Sequence, residues 1–198
     1  MARTIAKDFG EKRDHILKTA AKVFAEEGYH RASVSQVAKA CAISKANIYH
    51  YYSSKEDILF AILERYLRDL RDRICALSLD ALSPPERLQA TISEILLAYE
   101  GADNEHKVQA MGMEALPADR QGVLKQYQRN LVAFVAETVR TIAPDAFADD
   151  DAKLRSVTMA IFGMVNWFYM WNTTADADAR IAYADVVSKL SLRGIEGI

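Results

Sequence analysis

The sequence predicts an all-α chain of about nine helices, three small ones in front and about six larger ones behind. Three observations lead there. The 198 residues hold only 8 Gly and 4 Pro, so turn punctuation is sparse and a many-stranded β fold is disfavoured. Apolar residues recur at helical spacing through long stretches rich in Ala, Leu, Glu, Lys and Arg. A composition 51% hydrophobic and 26% charged suits a soluble globular chain with a real core, and excludes disorder over most of the length.

Each element has a local reason. The first helix covers residues 11–27, with Ile16, Leu17, Ala20, Val23 and Phe24 forming one stripe. Gly28 follows, where a left-handed cap is cheapest without a Cβ. A short second helix starts near Ser33 or Ser35 as cap and ends near Cys41, with Val37, Ala38 and Cys41 inward. Residues 42–44 are a turn, and Ser44 caps a third helix over 45–51. Ser54 caps a long fourth helix whose first turn, with Glu56 and Asp57, complements the helix dipole. Ser83-Pro84-Pro85-Glu86 is a capping box with proline in the first turn, and it opens a fifth helix to about residue 100. A sixth covers 104–115 and a seventh 119–142, each followed by proline. Asp149, Asp150 and Asp151 start an eighth that runs to about residue 173, and a ninth spans 176–193.

Composition narrows the setting. Cys41 and Cys75 have no metal-ligand spacing and cannot form a disulfide framework, which points to a reducing cytoplasm. The first residues lack the apolar core of a signal peptide. The longest apolar stretch, 157–171, is interrupted by Asn166 and falls short of the roughly 20 residues a membrane span needs, so no membrane is expected as partner. Charge is asymmetric. Residues 1–55 carry 10 Lys and Arg against 5 Asp and Glu, a balance of +5, whereas the remainder carries −7. A basic head on an acidic body suits a head that meets a polyanion.

Two short helices joined by three residues, after a longer one, describe a helix-turn-helix. The third helix is then the reading helix, with Lys45, Ala46, Asn47, Tyr49 and His50 outward and Ile48 and Tyr52 inward. Asn47 has the chemistry to pair with base edges, and Lys45, Tyr49 and His50 reach bases or phosphates. Lys55 sits at a helix start that already favours phosphate. Arg3, Lys7, Lys12 and Arg13 suggest a basic arm.

Residues 10–60 resemble the DNA-binding domain of the TetR (tetracycline-repressor) family of bacterial transcriptional regulators. The likeness is carried by Val37-Ala38-Lys39-Ala40-Cys41-Ala42-Ile43-Ser44 and by Ile48-Tyr49-His50-Tyr51-Tyr52-Ser53-Ser54-Lys55, with Phe24-Ala25-Glu26-Glu27-Gly28-Tyr29 upstream. The family usually reads I-A-x-x-A-G-V-S-x-x-x-L-Y-x-H/Y-F-x-S-K-x-x-L here. Three positions depart from that pattern. Ala42 stands where the turn prefers glycine, and a left-handed conformation there costs about 1 kcal/mol more. Cys41 replaces alanine. Tyr52 replaces phenylalanine, so its hydroxyl needs a partner.

The resemblance implies a helix-turn-helix domain over 1–55, with its motif at 33–52, and a ligand-binding and dimerisation domain over 56–198. It implies phosphate contacts from Ser33, Tyr49 and Lys55, and groove contacts from Lys45, Ala46, Asn47 and His50. One head reads too few base pairs to be selective, so a homodimer on a palindromic operator of double-stranded DNA is expected. For the dimer interface the candidates are Leu154, Val157, Ile161, Val165 and Phe168, with Ala160 and Gly163 permitting close approach, against Ile181, Val186, Val187 and Leu190. For an apolar ligand pocket they are Tyr66, Leu70, Leu96, Tyr99, Met111, Met113, Tyr127, Phe134, Phe162, Trp167 and Trp171. At helical spacing the same residues also read as ordinary core.

Residues 162–171 are similar to a segment in family members that sense acyl-CoA thioesters of fatty-acid, phenylacetate and steroid-ring breakdown. Lys107, Arg120, Lys125, Arg129 and Arg155 are the cations available to CoA phosphates. An acyl-CoA is therefore the first candidate effector, and a hydrophobic drug or aromatic metabolite the alternative. Repression, with release on effector binding, is the expected mode. The four histidines show no metal-ligand spacing, and no nucleophile elbow or phosphate-cradling loop is present, so neither enzyme, metal nor cofactor is expected.

Overall fold

A computed structural model describes residues 2–172 and 175–195, with side chains over 9–172 and 175–194. Among the described residues every regular element is helical. The α-helices are α1 (Ala2–Glu27), α2 (Val34–Ala40), α3 (Lys45–Tyr51), α4 (Lys55–Cys75), α5 (Pro84–Ala98), α6 (Asp103–Gly112), α7 (Ala118–Arg140), α8 (Asp151–Asn166), α9 (Phe168–Trp171) and α10 (Ala177–Ile195). Two 3₁₀ turns, Met113–Ala115 and Asp145–Phe147, follow α6 and α7.

The chain packs as two compact units. Met1–Leu67 with Asn104–Lys125 form one, and Arg68–Asp103 with Gln126–Ile198 form the other. The packing boundary thus falls inside α4 and inside α7, rather than between residues 55 and 56.

In the first unit α1 packs on α2 and α2 on α3. Gly28 closes α1 at φ +80°, as its position predicts, and its amide donates to Phe24 O at 3.0 Å. Ser33 and Gln36 form a capping box on α2, a pairing of polar side chains that fixes where the helix begins. Ala42 takes the left-handed turn position at φ 54°. Ser44 Oγ then accepts from the Asn47 amide at 3.1 Å and starts α3. The side chains facing inward are Ile16, Leu17, Ala20, Phe24, Val37, Ala38, Ile48 and Tyr52, all buried. The Tyr52 hydroxyl finds its partner in Arg13, whose Nε donates at 3.4 Å. α1 begins nine residues before the expected start. No proline stands in that stretch, and a Cβ at Gly10 would meet open space, so nothing stops the helix there.

The second unit is built on α5 and α10, with α8 beside both. Ser83 and Glu86 form the expected capping box, and the Ser83 hydroxyl and amide both donate to the Glu86 carboxylate, which holds it below its usual range. Arg180 is 2% exposed. Its guanidinium donates to Leu96 O and Ala175 O, both at 3.3 Å, and to Asp103 Oδ1 at 3.4 Å, which ties α10 to the end of α5. The eighth helix does not run to residue 173. α8 stops at Asn166, Trp167 caps it, and α9 is a single turn. At this end the Asn166 side-chain oxygen accepts from the buried Tyr99 hydroxyl at 2.7 Å. Burial pushes the Tyr99 hydroxyl far above its ordinary pKa, which keeps it a donor.

Candidate nucleic-acid interface

The interface is built outward from Ile48, which is fully buried and fixes the rotation of α3. Ala46 and His50, two residues either side of it, sit about 160° round the helix and point away from the core. Lys45, Asn47 and Tyr49 flank them, and all five side chains are exposed. Ser44 uses its oxygen on the Asn47 backbone, so the Asn47 side-chain amide remains open to a base edge. The Lys45 ammonium lies 5.6 Å from the centre of the Tyr49 ring, and Tyr49 is 45% exposed. The pair presents a charge and a hydroxyl together. On the other flank, His50 and Tyr51 meet edge to face at 5.4 Å, and Phe9 of α1 touches both.

Ser33 is exposed, and its hydroxyl is committed to the capping box: Oγ accepts from the Gln36 amide at 3.2 Å and donates to Gln36 Oε1 at 2.8 Å. Lys55 is committed more deeply. Its ammonium donates to Tyr29 O and Ala32 O at 2.9 Å and to His30 O at 3.3 Å, above the Tyr29 ring. Three carbonyls take its three protons, so Lys55 ties the α1–α2 turn to the start of α4 instead of pointing a free charge outward. Arg13 is likewise tied to Tyr52 and does not belong to a loose arm. The side chains of Arg3 and Lys7 lie outside the described residues.

The start of α4 is braced from α7. Arg120 reaches Asp57 Oδ1 at 2.5 Å and Glu56 Oε1 at 3.3 Å, over the Phe60 ring. The Arg120 hydrogen bond holds the Asp57 carboxyl below its usual range, and Asp57 in turn raises the guanidinium. Arg120 is therefore already neutralised and is not an available phosphate partner. Tyr66 on α4 and His106 on α6 form a buried pair, with hydroxyl and Nδ1 2.8 Å apart.

The expected pocket residues are divided between the two units. Tyr66 and Met111 fall in the first unit, and Leu70, Tyr99, Tyr127, Phe134, Phe162, Trp167 and Trp171 in the second. Tyr66, Leu70, Leu96, Tyr99 and Phe162 are buried. Met111, Trp167 and Trp171 are 56%, 61% and 58% exposed. The two tryptophans are outside because α8 ends one residue earlier and α9 turns the chain. Tyr127 stacks under the Arg71 guanidinium at 4.9 Å. Phe134 lines a small cleft of about 200 Å³ beside Leu77, Leu79, Arg87 and Thr138.

Several residues expected at the dimer face lie inside the chain. Leu154, Ile161, Val165, Phe168 and Val187 are buried in the chain's own core, and Val157 is half-buried. Val186, Leu190 and Ile181 are exposed as expected. On α8 Met159 and Ala160 are exposed, with open space around Gly163, and Asp151, Ala152, Arg155 and Ser156 are exposed on the turns before them. Phe9, Met159 and Met170 are exposed apolar residues that the sequence reading passed over. Phe9 had a signal, since it precedes Ile16 by two helical turns on the same stripe.

Comparison with known proteins agrees with this layout. The family described as bacterial regulatory proteins, tetR family, matches residues 16–62, and the tetracyclin repressor-like C-terminal domain matches residues 81–195. The crystal structure of a TetR-family transcriptional regulator from Bordetella parapertussis 12822 is 32% identical, covers 94% of this chain and 96% of its own, and superposes with a TM-score of 0.84. The HTH-type transcriptional repressor NicS of Pseudomonas putida is 26% identical over 92% of both chains. The structure of AibR in complex with isovaleryl coenzyme A and operator DNA shares the fold at 23% identity and a TM-score of 0.75, covering 90% of this chain and 97% of its own.

Proposed function

This chain belongs to the tetR family of bacterial regulatory proteins, and we propose that it is a homodimeric repressor that leaves a palindromic operator when a small hydrophobic effector binds its body. One observation carries the reading. α3 is pinned by the buried Ile48 and presents the exposed Lys45, Ala46, Asn47, Tyr49 and His50 outward. Lys45 and Tyr49 suit phosphates, and Asn47 and His50 suit base edges, while the small Ala46 lets the helix approach the groove floor. Ser33 and Lys55 shape the domain and position the helix.

The second copy is seated on the open apolar face of α8 and α10, through Met159, Ala160, Gly163, Ile181, Val186 and Leu190. Small residues on α8 permit close helix contact, and the larger ones on α10 supply buried area.

The effector in this reading is an acyl-CoA thioester, supported by the coenzyme A complex of AibR and by the apolar interior of the second unit. Lys125 and Arg129 bond only to glutamine side chains among the described residues, which leaves two cations for phosphate. The effector acts only through tighter binding to the released state, so operator must weaken effector binding by the same factor. The test titrates isovaleryl-CoA and longer acyl-CoAs into the protein with and without a selected palindromic duplex, followed by calorimetry and fluorescence anisotropy. Release of duplex and a matching loss of acyl-CoA affinity support the reading. Equal affinity with and without duplex overturns the switch.

A further inference from the structure

We infer that Phe9, on the first turns of α1, sets the orientation of His50 and so decides which base that histidine reads. The inference rests on α3 being the reading helix. Phe9 lies outside residues 16–62, which match the family's DNA-binding region.

The geometry is specific. The Phe9 ring lies 4.8 Å from the Tyr51 ring with the planes tilted 32°, and 6.5 Å from the His50 ring at 85°. His50 also meets Tyr51 edge to face, at 5.4 Å and 83°. Three rings therefore form one cluster, in separations and orientations that aromatic quadrupoles favour. His50 is exposed and points away from Ile48, so without neighbours its two side-chain torsions are free. Tyr51 confines the ring from within α3, and Phe9 confines it from α1. A reading side chain held in one orientation loses less freedom on binding and rejects the wrong base more strongly.

Phe9 is itself 43% exposed, more than burial for core stability would leave it. The exposed part faces no packing demand. Its ring contacts are with His50 and Tyr51, on the outer side of α3. Phe9 is a positioning residue: it acts on DNA through His50.

The experiment selects sequences from a randomised duplex pool with the full-length protein and with the Phe9→Ala, Phe9→Leu, Phe9→Tyr and His50→Ala variants. A Phe9→Ala/His50→Ala double variant completes the set. His50→Ala should relax preference at particular base positions. Phe9→Ala and Phe9→Leu should relax the same positions, with discrimination falling three- to tenfold, while Phe9→Tyr keeps it. Affinity for random duplex should stay within twofold, and the double variant should be no worse than His50→Ala. Leucine retains apolar packing without a ring, so a folding defect in the alanine variant leaves the question open to the second one. The His50 ring protons give an independent reading. They should move downfield in Phe9→Leu as the ring current is lost.

Unchanged base preference in Phe9→Leu overturns the inference, and so does a uniform loss over all sequences. A further loss in the double variant also overturns it, because Phe9 would then touch DNA directly. If the wild-type protein selects no sequence, the regulator reading fails and the inference with it. If it selects one and the Phe9 variants select the same one, the inference alone fails.

Discussion

α3 and the α8/α10 pair both leave a face uncovered, and the two faces have opposite chemistry. The face of α3 is Lys, Asn, Tyr and His around one Ala, with its rings held by neighbours. The face of α8 and α10 carries Met159, Ala160, Gly163, Ile181, Val186 and Leu190, with Arg155, Ser156 and Lys189 exposed among them. Exposure alone says that something else binds. The chemistry says what: a charged, wet polymer tolerates the first face, and only a dry, shape-matched surface suits the second. The difference also separates the effects of damage. An error on α3 should spoil recognition and leave assembly intact, whereas an error on α10 should spoil both.

That separation predicts the largest effect for Val186→Glu. A carboxylate buried unpaired at a two-fold interface costs about 3–5 kcal/mol. The variant should sediment as a monomer at micromolar concentration and lose at least about a hundredfold in palindrome affinity, with helix content unchanged. A dimer that still binds would break the comparison.

Next comes the reading face. Asn47→Ala should cost about 1–3 kcal/mol per half-site on the selected duplex and nothing on random duplex. Lys45→Ala should act on both. It should lower the slope of log affinity against log salt by about 0.9 for each protomer. Either variant should remain dimeric by sedimentation.

A smaller effect belongs to the Arg120 brace. Asp57 is held below the ordinary carboxylate range, so its contribution is present above that range and is lost as pH falls through the lowered value. Asp57→Asn should cost about 1 kcal/mol at pH 7, since the pair is partly open to solvent. The difference in melting temperature between wild type and variant should close as the pH drops below about 4. A gap that persists in acid would assign the effect to packing instead of charge.

The smallest change is a gain. Ala42 occupies φ 54°, where a Cβ is disfavoured. Ala42→Gly should stabilise by up to about 1 kcal/mol, a rise of about 2–4 °C in melting temperature. A fall would mean that the Cβ of Ala42 makes a contact worth more than the strain.

The head was legible because its signals are local. Ser33, Ser44 and Gly28 act on residues within one turn, and the stripe through Ile16, Leu17 and Phe24 is one helix speaking for itself. The start of α1 lies nine residues before the one the sequence predicts, because the local signal for that helix, the stripe from Ile16 to Phe24, lies beyond residues 2–10. In the body the same periodicity puts Leu154, Ile161 and Val165 on one side of α8, and that side is buried within the chain. Apolar spacing states that a face is covered. It does not state whether α5, α10 or a second copy covers it.

Residue order alone determined that this chain is helical, where most helices start, and that a short rod with Ile48 inward carries Asn47 and His50 outward, because caps, breakers and 3.6-residue spacing act over a few residues. Only the tertiary structure decided that Lys55 and Arg120 are already partnered, that Trp167 and Trp171 sit outside, and that Phe9 reaches His50. Those outcomes depend on which distant segments meet, and charge, polarity and spacing along a strand of sequence do not encode that distance.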